Sequence, residues 1–459
     1  MCSAELKQHG KDQGRAYYQK MTDSPVAWLI IQLSIPSIIS MMISNIYNMV
    51  DTAFVGRLGT SASAAVGIVF GFMAVLQAVG FLFGQGSGSI LGRKLGQQEI
   101  DAASIIVSTG FFSSLLLGCI IEIGGLLYLD TLAAWLGSTP TILPYTKIYM
   151  VYILLSSPFM IASCAMNTIL RYEGKALFAM IGMMSGAVLN IFGDIFFMFI
   201  LDMGIAGAGL STALSQLISF CILVSPFLRG KTQCRLSFRR ISFGFKDYID
   251  IFTTGLPSMS RQALTSVSTI LLNMEARIYG DAAVAAMSIV SRIMFFVFAV
   301  ALGIGQGFQP VCGFNYGAGK YGRVRKAYRV TLLSSAAAMT FLTVIVMLQP
   351  GNLLRLFRDD PEVVQVGIRA LKLQALAQLV LPVCMAAEML YQSTGKRIGA
   401  LLLSIMRNGL FMIPVLLILS RYRGLEGIQE AYPIACLLSL PPSMLLAKHF
   451  FQKLPPDTE

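Results

Sequence analysis

Charge is what this chain has least of. Only 13% of its 459 residues are charged, against about 25% in an ordinary soluble domain. With 55% apolar residues and a mean hydropathy of +0.70, it lacks the surface a water-soluble globule needs, and lipid is the indicated solvent. Histidine is scarcer still: His9 and His449, one near each end, are the only two. Histidine-based catalysis and histidine metal sites inside the apolar stretches are thereby excluded. The eight cysteines (2, 119, 164, 221, 234, 312, 384 and 436) show no Cys-x-x-Cys pair or metal-ligand spacing, and read as small buried hydrophobes. The first 24 residues are polar and basic, so no cleavable signal peptide is expected.

What the chain does have is a series of apolar runs. About 20 apolar residues are needed to cross a bilayer as a helix. Twelve such runs are read, at 27–56, 61–85, 102–128, 142–168, 176–200, 205–228, 249–273, 281–308, 324–348, 362–390, 398–419 and 427–450. Their glycines and prolines do not disqualify them, because lipid offers exposed backbone no other partner. The net charge of +12 could suggest nucleic acid, but its placement says otherwise. With the N-terminus inside, 23 of the 35 Lys and Arg fall in cytoplasmic segments and seven outside, alternating loop by loop. The expected protein is all-α and polytopic, with both termini cytoplasmic and no nucleic-acid partner.

The chain also repeats itself. Ser34-Ile35-Pro36 matches Gly255-Leu256-Pro257, Gly59 matches Gly280, and Gly84-Gln85-Gly86 recurs as Gly305-Gln306-Gly307. Pro140 meets Pro361, and Gly174-Lys175 meets Gly395-Lys396, all at one offset of 221 residues. A register held through four spans and their loops is a duplication. Six spans per half is an even number, so the halves are parallel repeats, an arrangement suited to alternating access. The expected organisation is a cytoplasmic segment (1–24), a first lobe (25–228), a basic cytoplasmic linker (229–248), a second lobe (249–450) and a cytoplasmic tail (451–459).

Particular residues carry a resemblance. Pro36 followed by Ser44 to Gly59, with Asp51 in its midst, resembles the first helix of MATE (multidrug and toxic compound extrusion) transporters. Asn190-Ile191-Phe192-Gly193-Asp194 is similar to their fifth-helix Asn-x-x-x-Asp element, and Gly204 to Ala208 to the start of their sixth helix. The resemblance covers almost the whole chain. It implies a V-shaped pair of six-helix lobes that exports organic molecules in exchange for protons or sodium ions.

Ionisable groups inside a membrane are functional candidates by default. Asp51, Asp194 and Thr212 lie about six to eight residues inside the outer ends of spans 1, 5 and 6, a common depth of about 10 Å. Tyr47 precedes Asp51, and Asn190 precedes Asp194, by one helical turn. Such a set could take a proton or sodium ion from outside and release it inside. The resemblance places the coupling site on Asp51, Asn190, Asp194 and Thr212, with Tyr47 and Asn167 nearby, and makes Pro36 a helix bend. The second half lacks the pair: its counterparts at offset 221 are Leu272 and Val415. It carries instead Arg261, Arg292, Arg407, Glu388 and Glu275, read as a polar network in which Glu388 pairs with an arginine. Arginines facing a cleft would suit an anionic or zwitterionic substrate.

The leading reading is thus a monomeric secondary antiporter of the bacterial inner membrane that exports small amphipathic, cationic molecules. No metal, catalytic residue or cofactor beyond the coupling ion is expected, and the partners are the organic substrate and the lipid bilayer. A flippase for lipid-linked precursors is the alternative, supported by the mid-span arginines. A membrane-embedded enzyme and a channel are weaker rivals. Gly84-Gln85-Gly86-Ser87-Gly88 follows no strand and indicates close helix packing, not a nucleotide loop. Gly230-Lys231-Thr232 ends like a P-loop, but residue 225 is Ser where the first glycine belongs.

Overall fold

The structure, a computed structural model, describes residues 14–456. His9 and the last three residues of the expected tail lie outside the described residues. A first helix, α1, covers residues 14–23. The six spans of the first half are α2 (Val26–Gly56), α3 (Thr60–Gly96), α4 (Ile100–Leu127), α6 (Leu143–Tyr172), α7 (Ala176–Asp194) and α8 (Gly204–Leu228), with the short α5 (Leu129–Trp135) between α4 and α6. The second half repeats the order with α9 (Phe245–Ala276), α10 (Asp281–Gly317), α11 (Tyr321–Leu348), short α12 (Pro350–Arg355), α13 (Pro361–Ala377) with α14 (Leu381–Ser393), α15 (Arg397–Ile405) with α16 (Met412–Arg423), and α17 (Leu425–Gln452). The described residues contain no strand. Helix is what lipid demands, since each backbone donor must find its acceptor within the segment.

Ten of these spans are individually long and apolar enough to cross a membrane, and α13 with α14, bent by 49°, makes an eleventh. The remaining one, α9, has the length but carries Lys246, Asp247, Asp250, Arg261 and Glu275. Exposed apolar side chains run along single faces: Leu116, Ile120, Ile123 and Leu127 on α4 follow helical spacing and suit contact with lipid.

The duplication is visible in the backbone. Gly59 and Gly280 both cap the following helix at positive φ, 111° and 92°. Gly174 and Gly395 both end a span at 72° and 77°. A side chain is strained in this region, which is why glycine recurs at the same register.

By packing, the chain forms two compact units. Among the described residues, one comprises 14–20 and Ile39–Met259; the other comprises Met21–Ile38 and 260–456. The lobes expected at 25–228 and 249–450 therefore differ from the compact units by exchanged segments. The opening residues of α2 pack with the second unit, where a Cβ on Gly307 would fall 2.1 Å from Ser34 Oγ and one on Gly303 would meet Ile38. The opening residues of α9 pack with the first, where a Cβ on Gly86 would fall 2.1 Å from the Ile251 carbonyl. Gly86 and Gly307 are repeat partners, so the exchange follows the duplication. The Gly-Gln-Gly runs thus allow helices to approach closely, as small residues do in membranes. Pro36 lies inside α2, which continues through it from Val26 to Gly56.

The linker is fastened to the first unit. Ser104 and Ser108 of α4, one turn apart, accept the backbone N–H groups of Arg235 and Ser237 at 3.1 and 3.2 Å. Thr109 accepts that of Ser242 at 2.9 Å. Glu173, fully buried just beyond the end of α6, accepts the N–H groups of Gln233 and Cys234 at 2.9 and 3.0 Å. Burial raises the Glu173 carboxyl to about 7, although those two bonds and Lys175 favour its charged form.

Candidate functional site

The carboxyls of Asp51 on α2 and Asp194 at the end of α7 face each other in the first unit. Asp51 is 3% exposed and Asp194 fully buried. One oxygen of Asp51 and both of Asp194 lack a hydrogen-bond partner. Val55 and Met198, one turn beyond Asp51 and Asp194, and Ala208, one turn before Thr212, belong to one buried apolar cluster. Two ionised carboxylates are acceptors only. Their mutual contact becomes a hydrogen bond when one of them carries a proton.

Helices α7 and α8 supply the neighbouring polar groups. Small residues draw them together: a Cβ on Gly193 would fall 2.5 Å from Ser211 Oγ, and one on Gly186 would fall 3.0 Å from Ser219 Cβ. Asn190, one turn before Asp194, donates from Nδ2 to Thr212 Oγ1 at 3.2 Å and to Ser211 Oγ at 3.3 Å. Ser211 returns a bond to the Asn190 carbonyl at 2.9 Å, and Thr212 donates to the Ala208 carbonyl at 3.0 Å. The Asn190 side-chain oxygen has no partner. Immediately after Asp194 the chain widens into a π-turn over Ile195–Ile200, a costly feature that gathers at functional sites.

The structure thus sets Asp51 beside Asp194 and Asn190, one turn earlier, against Thr212. Tyr47 lies beside both carboxyls. Asn167 is engaged elsewhere: its Nδ2 donates to the Ala179 carbonyl at 3.0 Å, and Ala179 precedes Asn190 on α7 by about 16 Å of helix. Sequence reasoning missed Tyr149 of α6. It is fully buried beside Thr212 and the two carboxyls, with its hydroxyl unpartnered. Its signal was position, about seven residues inside the outer end of its span.

The second unit holds a different cluster. Arg261 Nη1 lies 3.7 Å from Glu388 Oε1, both side chains largely buried. Arg407, 6% exposed, has its guanidinium 5.6 Å from the centre of the Phe298 ring, a cation–π arrangement. Its Nε donates to Asn408 Oδ1 at 3.2 Å, and Asn408 Nδ2 donates to Thr265 Oγ1 at 2.6 Å. Arg407 and Asn408 sit in a second π-turn, Met406–Phe411, whose Asn408 carbonyl accepts the Ser268 hydroxyl. Of the residues expected in one network, Arg261 and Glu388 pair, whereas Arg407 is held by Asn408 and the Phe298 ring. Arg292 is exposed and Glu275 half-buried, and neither forms an ion pair among the described residues.

Comparison with known proteins adds an independent line. A family model described as MatE matches residues 36–196 and 257–418, once per repeat. The multidrug export protein MepA of Staphylococcus saprophyticus is 28% identical over 95% of this chain and 96% of its own length. The protein of the same name from Staphylococcus aureus is 27% identical over 98% of each chain. A solved outward-facing multidrug resistance MATE family transporter aligns with a TM-score of 0.90, at 25% identity over 95% of this chain and 98% of that one. A transporter of the MOP superfamily from Pyrococcus furiosus, described as having a binding pocket of reverse polarity, aligns with a TM-score of 0.89 at the same identity and coverage.

Proposed function

Because the chain belongs to the MatE family, we propose that it is a multidrug efflux antiporter of the bacterial inner membrane, driven by protons taken up at Asp51 and Asp194. The observation that carries the reading is the facing carboxyl pair, buried among apolar residues with three oxygens unpartnered. A shared proton satisfies both groups; substrate arrival or a change of conformation that separates them releases it. Asn190 and Thr212 hold a neighbouring hydrogen bond, and the buried Tyr47 and Tyr149 lie beside the carboxyls. One charge crossing 100 mV is worth about 2.3 kcal/mol, and coupling follows if the two conformations differ in proton affinity. Both termini and the linker are placed on the cytoplasmic side, as the basic loops indicate.

The substrates proposed are small amphipathic cations, by likeness to relatives named for multidrug export. The flippase alternative loses part of its support, since Arg261 is paired and Arg407 is stacked and bonded within its own unit. Sodium coupling has one specific observation in its favour: the unbonded Asn190 oxygen adds a neutral ligand to the carboxylates. Dye efflux from proteoliposomes under a proton gradient alone and a sodium gradient alone separates the two. Efflux under the proton gradient is expected; efflux under sodium alone would replace the proton by sodium, and efflux under neither would overturn the antiporter.

A further inference from the structure

At the end of the second unit that carries α17's C-terminus lies a cavity of about 550 Å³. Its walls come from the end of α10, the turn between α14 and α15, and the last turn of α17. Lys396, Arg397 and Lys453 line it together with His449, and no acidic side chain does so among the described residues. Tyr316, Tyr391 and Phe450 provide its aromatic floor. The turn delivers the N-terminus of α15 to the same wall: Ile398 and Gly399 line the cavity, and α15 has no side-chain cap. Uncapped helix N-terminal N–H groups favour anions.

The repeat shows what the corresponding place does in the first unit. At offset 221, Thr394-Gly395-Lys396 stands where Glu173-Gly174-Lys175 stands. There the chain fills the space itself. The Tyr17 ring lies against Gly174, within 2.8 Å of where a Cβ would sit, and its hydroxyl donates to the Tyr172 carbonyl at 3.3 Å. Glu173 meanwhile holds the linker through two backbone N–H groups. In the second unit the acid is replaced by threonine, and among the described residues a cation-lined cavity stands where the first unit binds peptide.

We infer that this cavity is a binding site for a phosphate-bearing anion. Arginine and lysine together with helix N–H groups match the oxygens of a phosphate monoester or diester. A lipid headgroup is the source favoured by the surroundings: Ile398 is 87% exposed at the cavity wall, and exposed Leu402 follows one turn later on the same face. Acyl chains could lie there while the phosphate sits inside. Basic pockets on the cytoplasmic side of membrane helices bind acidic headgroups in this way.

The test uses full-length protein in neutral detergent, with its thermal unfolding midpoint followed as phosphatidylglycerol, phosphatidylcholine or inorganic phosphate is added. Phosphatidylglycerol is expected to raise the midpoint saturably and phosphatidylcholine to leave it unchanged. The K396Q/K453Q variant, altered at two exposed side chains, should unfold like the wild type without added ligand and require about thirtyfold more phosphatidylglycerol. K231Q/K246Q, altered in the linker, should respond like the wild type. A saturable response to inorganic phosphate, lost in K396Q/K453Q, would support the site and identify a soluble phosphorylated ligand. Equal responses of wild type and K396Q/K453Q, equal responses to both lipids, or no response to any addition would overturn it.

Discussion

The two units share one repeat but differ in the sign and level of their buried charge. In the first, Asp51 and Asp194 face each other near the Gly56 end of α2, and their repeat counterparts are Leu272 and Val415. In the second, Arg261 pairs with Glu388 and Arg407 is buried against Phe298, and their counterparts are Ser40, Asn167 and Gly186. Ser40 precedes Asp51 by about 16 Å of helix. Duplication thus preserved the scaffold of glycines and spans while the polar interior diverged. A buried acid pair with three oxygens unpartnered is suited to binding and losing a proton. A glutamate held by one arginine beside a stacked and bonded second one is suited to holding helices together.

This contrast can be broken experimentally. The largest effect is expected from Asp51→Asn, which should reduce proton-driven efflux to background while the protein still inserts; wild-type efflux in vesicles would remove Asp51 from the coupling site. Next come Gly86→Val and Gly307→Val, which force a side chain against backbone at equivalent places in the two units. Both should sharply lower the yield of folded protein in size-exclusion profiles. A loss in only one would show that the close approach matters in one unit alone. Glu388→Gln leaves Arg261 buried without a carboxylate and should cost roughly 3 kcal/mol of stability, read as a lower unfolding midpoint, with the ratio of protons to dye unchanged. A changed ratio would mean that the second unit takes part in coupling.

The smallest effect concerns Glu173. Its folded carboxyl is raised to about 7 from an ordinary 4.5, so the folded state binds the proton more tightly than the unfolded chain. Stability from this group is therefore full below about 4.5 and lost as pH rises through about 7. Glu173→Gln should flatten the pH dependence of the unfolding midpoint across that window; an unchanged slope would contradict the assignment.

Much of this was legible in the sequence because lipid imposes simple rules. Apolar length marked the spans, and the offset marked the duplication. Counting residues inward from span ends placed Asp51, Asp194 and Thr212 at one depth before any packing was known. The exchange of the openings of α2 and α9 was not legible, since each helix is continuous and nothing in a linear pattern says which neighbour a given turn prefers. Tyr149 was overlooked because one tyrosine among 16 carries no chemical mark until its neighbours are known. Asn167 was placed near the acids by resemblance, whereas its amide reaches a backbone carbonyl at the other end of α7. Its repeat partner Glu388 shows how the same position can be turned to a charge pair.

The central claim is that the Asp51–Asp194 pair holds a proton that substrate displaces. Purified protein in weakly buffered detergent solution, mixed with a cationic dye, tests it through the pH of the solution. The account predicts proton release on dye binding by the wild type and none by either Asp51→Asn or Asp194→Asn; undiminished release by both variants would contradict it.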